Sequence, residues 1–142
     1  MGSTRRSEGT IKPMTPGVFK VIIAGSRSFR DYGLLRAKVD LLLSRKTSAL
    51  TEIIIVSGHC NGADLLGEKY AREKKYNVET FLPQWDMYGK AAGPIRNAAM
   101  ARNADALIAF WDGRSPGTEN MIKEAEKNGL EIRIIKYKKD TL

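Results

Sequence analysis

Ile53-Ile54-Ile55-Val56-Ser57-Gly58-His59-Cys60-Asn61-Gly62-Ala63-Asp64 is the stretch on which the fold turns. Four consecutive β-branched residues suit a strand buried on both faces, the environment of a parallel sheet. Gly58 and Gly62 bound a loop, and Ala63 and Asp64 open a helix whose apolar face is Ala63, Leu66, Tyr70 and Ala71. A strand that empties through glycine into a helix leaves unpaired backbone N–H groups beyond the strand end, which is anion-binding geometry.

The same pattern recurs on either side. Val18 to Ala24 reads as a strand ending at Gly25, and Asp31 as the N-cap of a helix to about Ser44, with Leu34, Leu35, Val39, Leu42 and Leu43 at helical spacing. Val78 to Leu82 is the next strand, ended by Pro83. A loop follows from Pro83 to Gly93, and Pro94 suits the first turn of a helix to about Arg102. Ala106 to Phe110 is the fourth strand. A helix from about Thr118 to Asn128 stops at Gly129, and Ile132 to Tyr137 is the last strand. Alternation of this kind with short connections gives an α/β fold: one doubly wound, mainly parallel five-stranded sheet with four main helices on both faces. Its ligands sit beyond the carboxyl ends of the strands. The domain spans residues 18–137, between a flexible basic tail (residues 1–17) and a short basic end (residues 138–142).

A chain of 142 residues with 42% hydrophobic and 28% charged content builds one globular domain. It contains no apolar run long enough for a membrane span and no secretory h-region, so membrane partners are not expected. Cys60 stands alone, which excludes an internal disulfide and points to the cytoplasm. The net charge of +8 raises nucleic acid as a partner, but its location argues otherwise. Arg5, Arg6 and Lys12 against Glu8 give +2 in residues 1–17, and Lys136, Lys138 and Lys139 against Asp140 give +2 in residues 136–142. Half the excess therefore lies at the ends, and a soluble protein with basic tails is the favoured reading.

Four segments converge on the carboxyl edge. Gly25, Ser26 and Arg27 combine a tight strand exit with a hydroxyl and a guanidinium fork suited to phosphate. Ser57, Gly58 and Gly62 are shaped to cradle phosphate or ribose, and Asp64 either accepts from ribose hydroxyls or complements its helix dipole. His59 beside Cys60 is a poor nucleophile pair, because adjacent side chains point apart, and no metal site is expected. Trp85 and Tyr88 stack a base or anchor their loop, while Gly93, Arg96 and Asn97 place a guanidinium in a helix's first turn. Asp112, Ser115, Gly117 and Thr118 lead into the last helix, with Trp111 as a further base-stacking candidate. Neither a G-x-G-x-x-G fingerprint nor a Walker lysine motif occurs.

Taken together, Gly25-Ser26-Arg27, Ser57-Gly58 with Gly62-Ala63-Asp64, Trp85 with Tyr88-Gly89, Gly93-Pro94-Ile95-Arg96-Asn97 with Met100, and Asp112-Gly113 with Ser115, Gly117-Thr118 and Asn120-Met121-Ile122 resemble the SLOG superfamily. That superfamily is named after the DNA-processing Smf/DprA proteins and the LOG phosphoribohydrolases. The nearest likeness is its YspA-like branch, whose function is unsettled. The resemblance implies a Rossmann-like sheet, a bound nucleotide or nucleotide-derived ligand with no other cofactor required, and homodimerisation. It also implies a departure from the LOG branch, where an Arg-Lys-x-x-Met helix start and a Pro-Gly-Gly-x-Gly-Thr-x-Glu-Glu turn cleave an N-glycosidic bond. Arg96-Asn97-Ala98-Ala99-Met100 resembles the first, with asparagine for lysine, and Ser115 to Asn120 a shortened second. Asn120 stands where that family has its catalytic glutamate, and asparagine cannot act as acid or base. Glu119 comes one place early, turned by about 100° on a helix.

Three functions follow, in this order. The first is binding of a nucleotide derivative, for sensing or sequestration. The second is nucleoside-monophosphate N-glycosidic hydrolysis, with Arg96 and with Asp64, Asp112 or Glu119 in place of the missing glutamate. The third is single-stranded DNA binding, as among the DNA-processing relatives.

Overall fold

The apolar runs form the strands and the amphipathic runs the helices of an α/β domain, in a computed structural model that describes residues 17–138. In chain order these are β1 (Gly17–Gly25), α1 (Tyr32–Leu43), β2 (Thr51–Ser57), α2 (Ala63–Lys74), β3 (Asn77–Thr80), α3 (Trp85–Tyr88), α4 (Ala92–Arg102), β4 (Ala106–Trp111), α5 (Pro116–Lys127) and β5 (Glu131–Lys136). Of the expected tails, residues 1–17 and 138–142, all but Gly17 and Lys138 lie outside the described residues, and Gly17 opens β1. No helix among the described residues is long and apolar enough to cross a membrane.

All strand pairs are parallel, in the order β3-β2-β1-β4-β5. The chain walks outward from β1 to β3, then returns to build β4 and β5 on the other edge of β1. Crossovers of one hand then put the first helices on one face and the later ones on the opposite face. The period-two pattern of β1 serves both layers. Val21 and Ile23 pack with Leu35 and Val39 of α1 and Tyr70 and Ala71 of α2. Ile22 and Ala24 pack with Met100 and Ala101 of α4 and Met121 and Ala125 of α5. The direction of the walk reverses between β1 and β4, so their connections leave on opposite faces and open a crevice at the carboxyl edge.

Local signals explain most boundaries. The Asp31 side chain accepts from Leu34 N–H at 3.0 Å, capping α1 as its position predicts. Gly129, at φ 70°, follows the Asn128 C-cap of α5. Several boundaries differ from the sequence reading by a residue or two, and three of the differences bear on the site. The expected loop from Pro83 to Gly93 contains α3 and a 3-10 turn, Gly89–Ala91, and α4 begins at Ala92 with no side-chain cap to announce it. Pro94 is therefore the third helical residue, and Arg96 and Asn97 fall in the second turn of α4, not the first. The third strand ends at Thr80 rather than Leu82, because only four residues pair with β2. Finally, α5 begins at Pro116, which places Gly117 and Thr118 inside its first turn.

Candidate functional site

The crevice between β1 and β4 holds a cavity of about 450 Å³. The exit of β1 gives it Gly25, Ser26 and Arg27, and α2 gives Asp64. Arg96 and Asn97 come from α4, and Asp112, Ser115, Gly117 and Thr118 from the connection between β4 and α5. Ser57, Gly58, Gly62, Trp85, Tyr88 and Gly93 are not among its lining residues.

The β4–α5 connection is organised by Asp112. Its Oδ1 accepts the N–H groups of Arg114 at 2.9 Å and Ser115 at 2.8 Å, and the Ser115 hydroxyl at 3.0 Å. Ser26 Oγ lies 2.9 Å from Ser115 Oγ and accepts the Asp112 N–H at 3.2 Å, which ties the β1 exit to this loop. Burial acts to raise the Asp112 pKa, but the backbone and hydroxyl donors outweigh it and bring it down to about 2. With its hydroxyl turned to Asp112, Ser115 makes no side-chain cap for α5, and Pro116 at the first position has no N–H. The N–H groups of Gly117 and Thr118 thus lack intrahelical acceptors at the positive end of the helix, beside the cavity. Arg27 stands exposed at the rim.

Behind the opposite wall two glycines allow close approach: at Gly62 backbone leaves no room for a side chain, and at Gly58 the Arg96 guanidinium fills the space. Gly62 has φ 85°, and a Cβ there would lie 2.3 Å from Ser26 O and 2.7 Å from Arg27 O. A Cβ on Gly58 would lie 2.6 Å from Arg96 Nη1. These glycines let the two loops and the Arg96 guanidinium meet, and they shape the site from behind rather than lining it. Arg96 Nη1 donates to Gly58 O at 2.9 Å and, at the limit of a hydrogen bond, to Phe81 O at 3.5 Å, while Nε donates to Asn97 Oδ1 at 2.9 Å. The arginine has structural partners that the sequence did not reveal.

Asp64 is 6% exposed. Burial pushes its carboxyl up to about 6, against the lowering effects of the Cys60 N–H at 3.2 Å and the Arg96 charge; Glu68 adds to the rise. Ser57 belongs to a different cluster: fully buried, its Oγ donates to Glu68 Oε2 at 2.7 Å and accepts from His59 N–H at 3.0 Å. His59, at φ 61°, places Nδ1 2.8 Å from the same Glu68 oxygen. Glu68 is thus the residue around which this loop folds, eleven positions from Ser57, and no local motif marks it.

Asn97 joins two helices. Its Nδ2 donates to Asn120 Oδ1 at 2.8 Å and to Gly117 O at 3.3 Å, so Asn120 helps hold the start of α5. Glu119 is exposed on the outer side, 4.0 Å from Lys123. Trp85 is 54% exposed, beside the start of α4, with Gly93 near its ring. Trp111 Nε1 donates to Ser115 O at 3.2 Å. Tyr88 lines a second cavity of about 390 Å³, which Arg96 also borders. Ser28, Cys60, Met100 and Met121 line the first cavity without having been singled out for it. Both methionines belong to the SLOG-like motif set and, almost fully buried, also pack in the core layer beneath α4 and α5.

A family model described as the YspA, cpYpsA-related SLOG family matches residues 19–88. Gene 61 protein of Mycobacterium phage D29 is 35% identical over 120 residues, covering 80% of this chain and 93% of that protein. Among solved structures, DNA processing protein A (DprA) from Streptococcus pneumoniae has a TM-score of 0.60 at 20% identity, covering 84% of this chain and 50% of its own. A protein designated TM1055 has a TM-score of 0.54, also at 20% identity, covering 83% of this chain and 72% of its own. These two likenesses concern the fold: a Rossmann-like sheet. This chain spans half of the DprA chain.

Proposed function

The chain belongs to the YspA, cpYpsA-related SLOG family, and on that premise we propose that it binds a nucleotide or nucleotide-derived ligand at the carboxyl edge of its sheet, as a sensor or sequestering protein. The observation that carries this reading is the pair of open N–H groups, Gly117 and Thr118, at the β1/β4 crevice with Arg96 in the same cavity. Phosphate fits there, held by the helix start and a guanidinium, with Arg27 at the rim. Asp112, ionised at neutral pH, and Asp64 are placed to meet sugar hydroxyls. Calorimetry against nucleoside mono- and diphosphates and ADP-ribose-like compounds tests the reading. Wild-type protein binds at least one of them, and Arg96→Ala weakens that binding by about 100-fold, the loss of a charged hydrogen-bonding partner. A folded protein that takes up none at millimolar ligand removes the proposal.

A second reading, N-glycosidic hydrolysis of a nucleoside monophosphate, is favoured by one observation. Two carboxyl groups line one cavity, Asp64 protonatable near pH 6 and Asp112 ionised down to about pH 2. Environments that push two acids apart are how one site supplies an acid and a base. Water would add to the anomeric carbon as the carbon–nitrogen bond breaks, giving up a proton to the Asp112 carboxylate, and Asp64 would protonate the departing base. Release of free base that Asp64→Asn abolishes supports hydrolysis, and an intact nucleotide after prolonged incubation opposes it.

A further inference from the structure

Among the described residues, no aromatic side chain lines the cavity assigned to phosphate and sugar. Serine, arginine, aspartate and asparagine supply half of its lining residues, a match for anions and hydroxyls, and it offers a flat base no ring to stack on. The aromatic candidates from the sequence do not complete it: Trp85 is exposed beside the start of α4, and Trp111 is tied to the Ser115 carbonyl.

The missing chemistry lies on the other flank of α4. Ala92, Ile95, Arg96 and Ala99 fall on one helical stripe, and Arg96, Asn97 and Met100 on the adjacent one. The first stripe borders the cavity of about 390 Å³, the second the cavity of about 450 Å³, and Arg96 is common to both. Phe81, Leu82, Tyr88 and Ile95 give the second cavity two aromatic residues and two aliphatic ones, with Gln84, Thr80 and Arg96 among its polar residues. An apolar wall with a ring and a few polar groups is the make-up of a site for a planar heterocycle. One guanidinium nitrogen, Nη1, donates to Gly58 O at 2.9 Å and to Phe81 O, on the second cavity's wall, at 3.5 Å. The second of these bonds is weak enough to exchange for a ligand oxygen.

We propose that the second cavity is the base subsite of the same ligand: a nucleotide whose phosphate lies at the start of α5, whose sugar passes Arg96, and whose purine or pyrimidine ring rests against Tyr88. The inference rests on the nucleotide-binding reading and adds to it where the base goes. Arg96 then bridges the two halves of one ligand, and Gln84 and Thr80 are the residues that distinguish one base from another.

Calorimetry with the four 5′-nucleoside monophosphates and with ribose 5-phosphate separates the two claims. Ala99→Leu, which fills the second cavity, and Tyr88→Ala, which removes its ring, are expected to weaken the best-bound nucleotide by about 10- to 100-fold, the contribution of base stacking. Affinity for ribose 5-phosphate is expected to stay the same. In the wild-type protein the bound nucleotide's base protons should show nuclear Overhauser contacts to the Tyr88 ring, a readout that does not depend on a variant folding. Variants that leave nucleotide affinity unchanged, or that weaken both probes equally, overturn the base subsite, and so do base contacts elsewhere; ribose 5-phosphate binding then leaves the first reading standing. A wild-type protein that binds neither probe overturns both.

Discussion

The loop after β2 and the connection after β4 look alike on paper, each a glycine- and serine-bearing exit from a buried strand into a helix. In the folded protein they differ in what remains unpaired. After β2, Ser57 and His59 converge on Glu68, Gly58 O is held by Arg96, and Gly62 presses on the backbone of Ser26 and Arg27. After β4, Asp112 gathers the loop's own donors, and the Gly117 and Thr118 N–H groups are left without an intrahelical acceptor. On the proposed function, the first loop is a buttress and the second a receptor. A binding site forms where the fold leaves donors unsatisfied, and a motif alone does not say which donors those are. Their carboxylates show the same contrast. Asp64, at the buttress, is raised by burial to about 6, while Asp112, at the receptor, is lowered by hydrogen bonds to about 2.

If the first loop is a buttress, breaking it should cost the fold more than anything done to the second. Gly62→Ala puts a Cβ against two backbone oxygens in a conformation that L-residues avoid. A loss of about 3 kcal/mol or more in denaturant unfolding is expected from strain and overpacking together, and a loss under about 1 kcal/mol would mean that the loops do not press on each other.

The next effect is smaller and of opposite sign. The Asp64 carboxyl holds a proton more tightly in the folded protein than in the unfolded chain. Its contribution favours folding fully below about pH 4 and is lost as pH rises through about 6. Asp64→Asn should therefore stabilise the protein at pH 7 by up to roughly 3 kcal/mol, with the gain fading to nothing near pH 4, as followed by melting temperature across pH. A gain that does not vary with pH would show that burial of the charge is not the cause. Smallest is Ser115→Ala on the receptor side. It removes one hydroxyl donor from Asp112, raises that carboxyl from about 2 toward its ordinary value, and lowers stability by about 1 kcal/mol. Carboxyl carbon chemical shifts against pH would read this directly, and an unmoved titration would remove Ser115 from the network.

Much of the fold was legible in the sequence, because its signals are local. β-branched runs, the Asp31 cap, and Gly129 after the last turn each act within a few residues. The start of α4 was not, since Ala92 opens it without a capping side chain and Pro94 arrives two positions later. That shift carried Arg96 from the expected first turn to the second, where it braces Gly58 and Phe81 instead of lying level with free N–H groups. The site was legible in part. Residue types chosen for anions do meet in one cavity, as with Ser26, Arg96, Asp112 and Thr118. The split between Ser57, turned to Glu68, and Ser115, turned to Asp112, depends on partners that no spacing rule supplies. Tyr88 shows the same limit, because the cavity it faces is made by the far side of α4.

The central claim is that the ligand's anion meets the start of α5. Titrating the 15N-labelled protein with a 5′-nucleoside monophosphate tests it residue by residue. The account predicts that the amide resonances of Gly117 and Thr118 shift most, with the Arg96 Nε–H moving alongside and the Ser57 and Gly58 amides nearly still. A folded protein whose Gly117 and Thr118 resonances stay in place at saturating ligand, or whose largest shifts fall on Ser57 to Cys60, would contradict it.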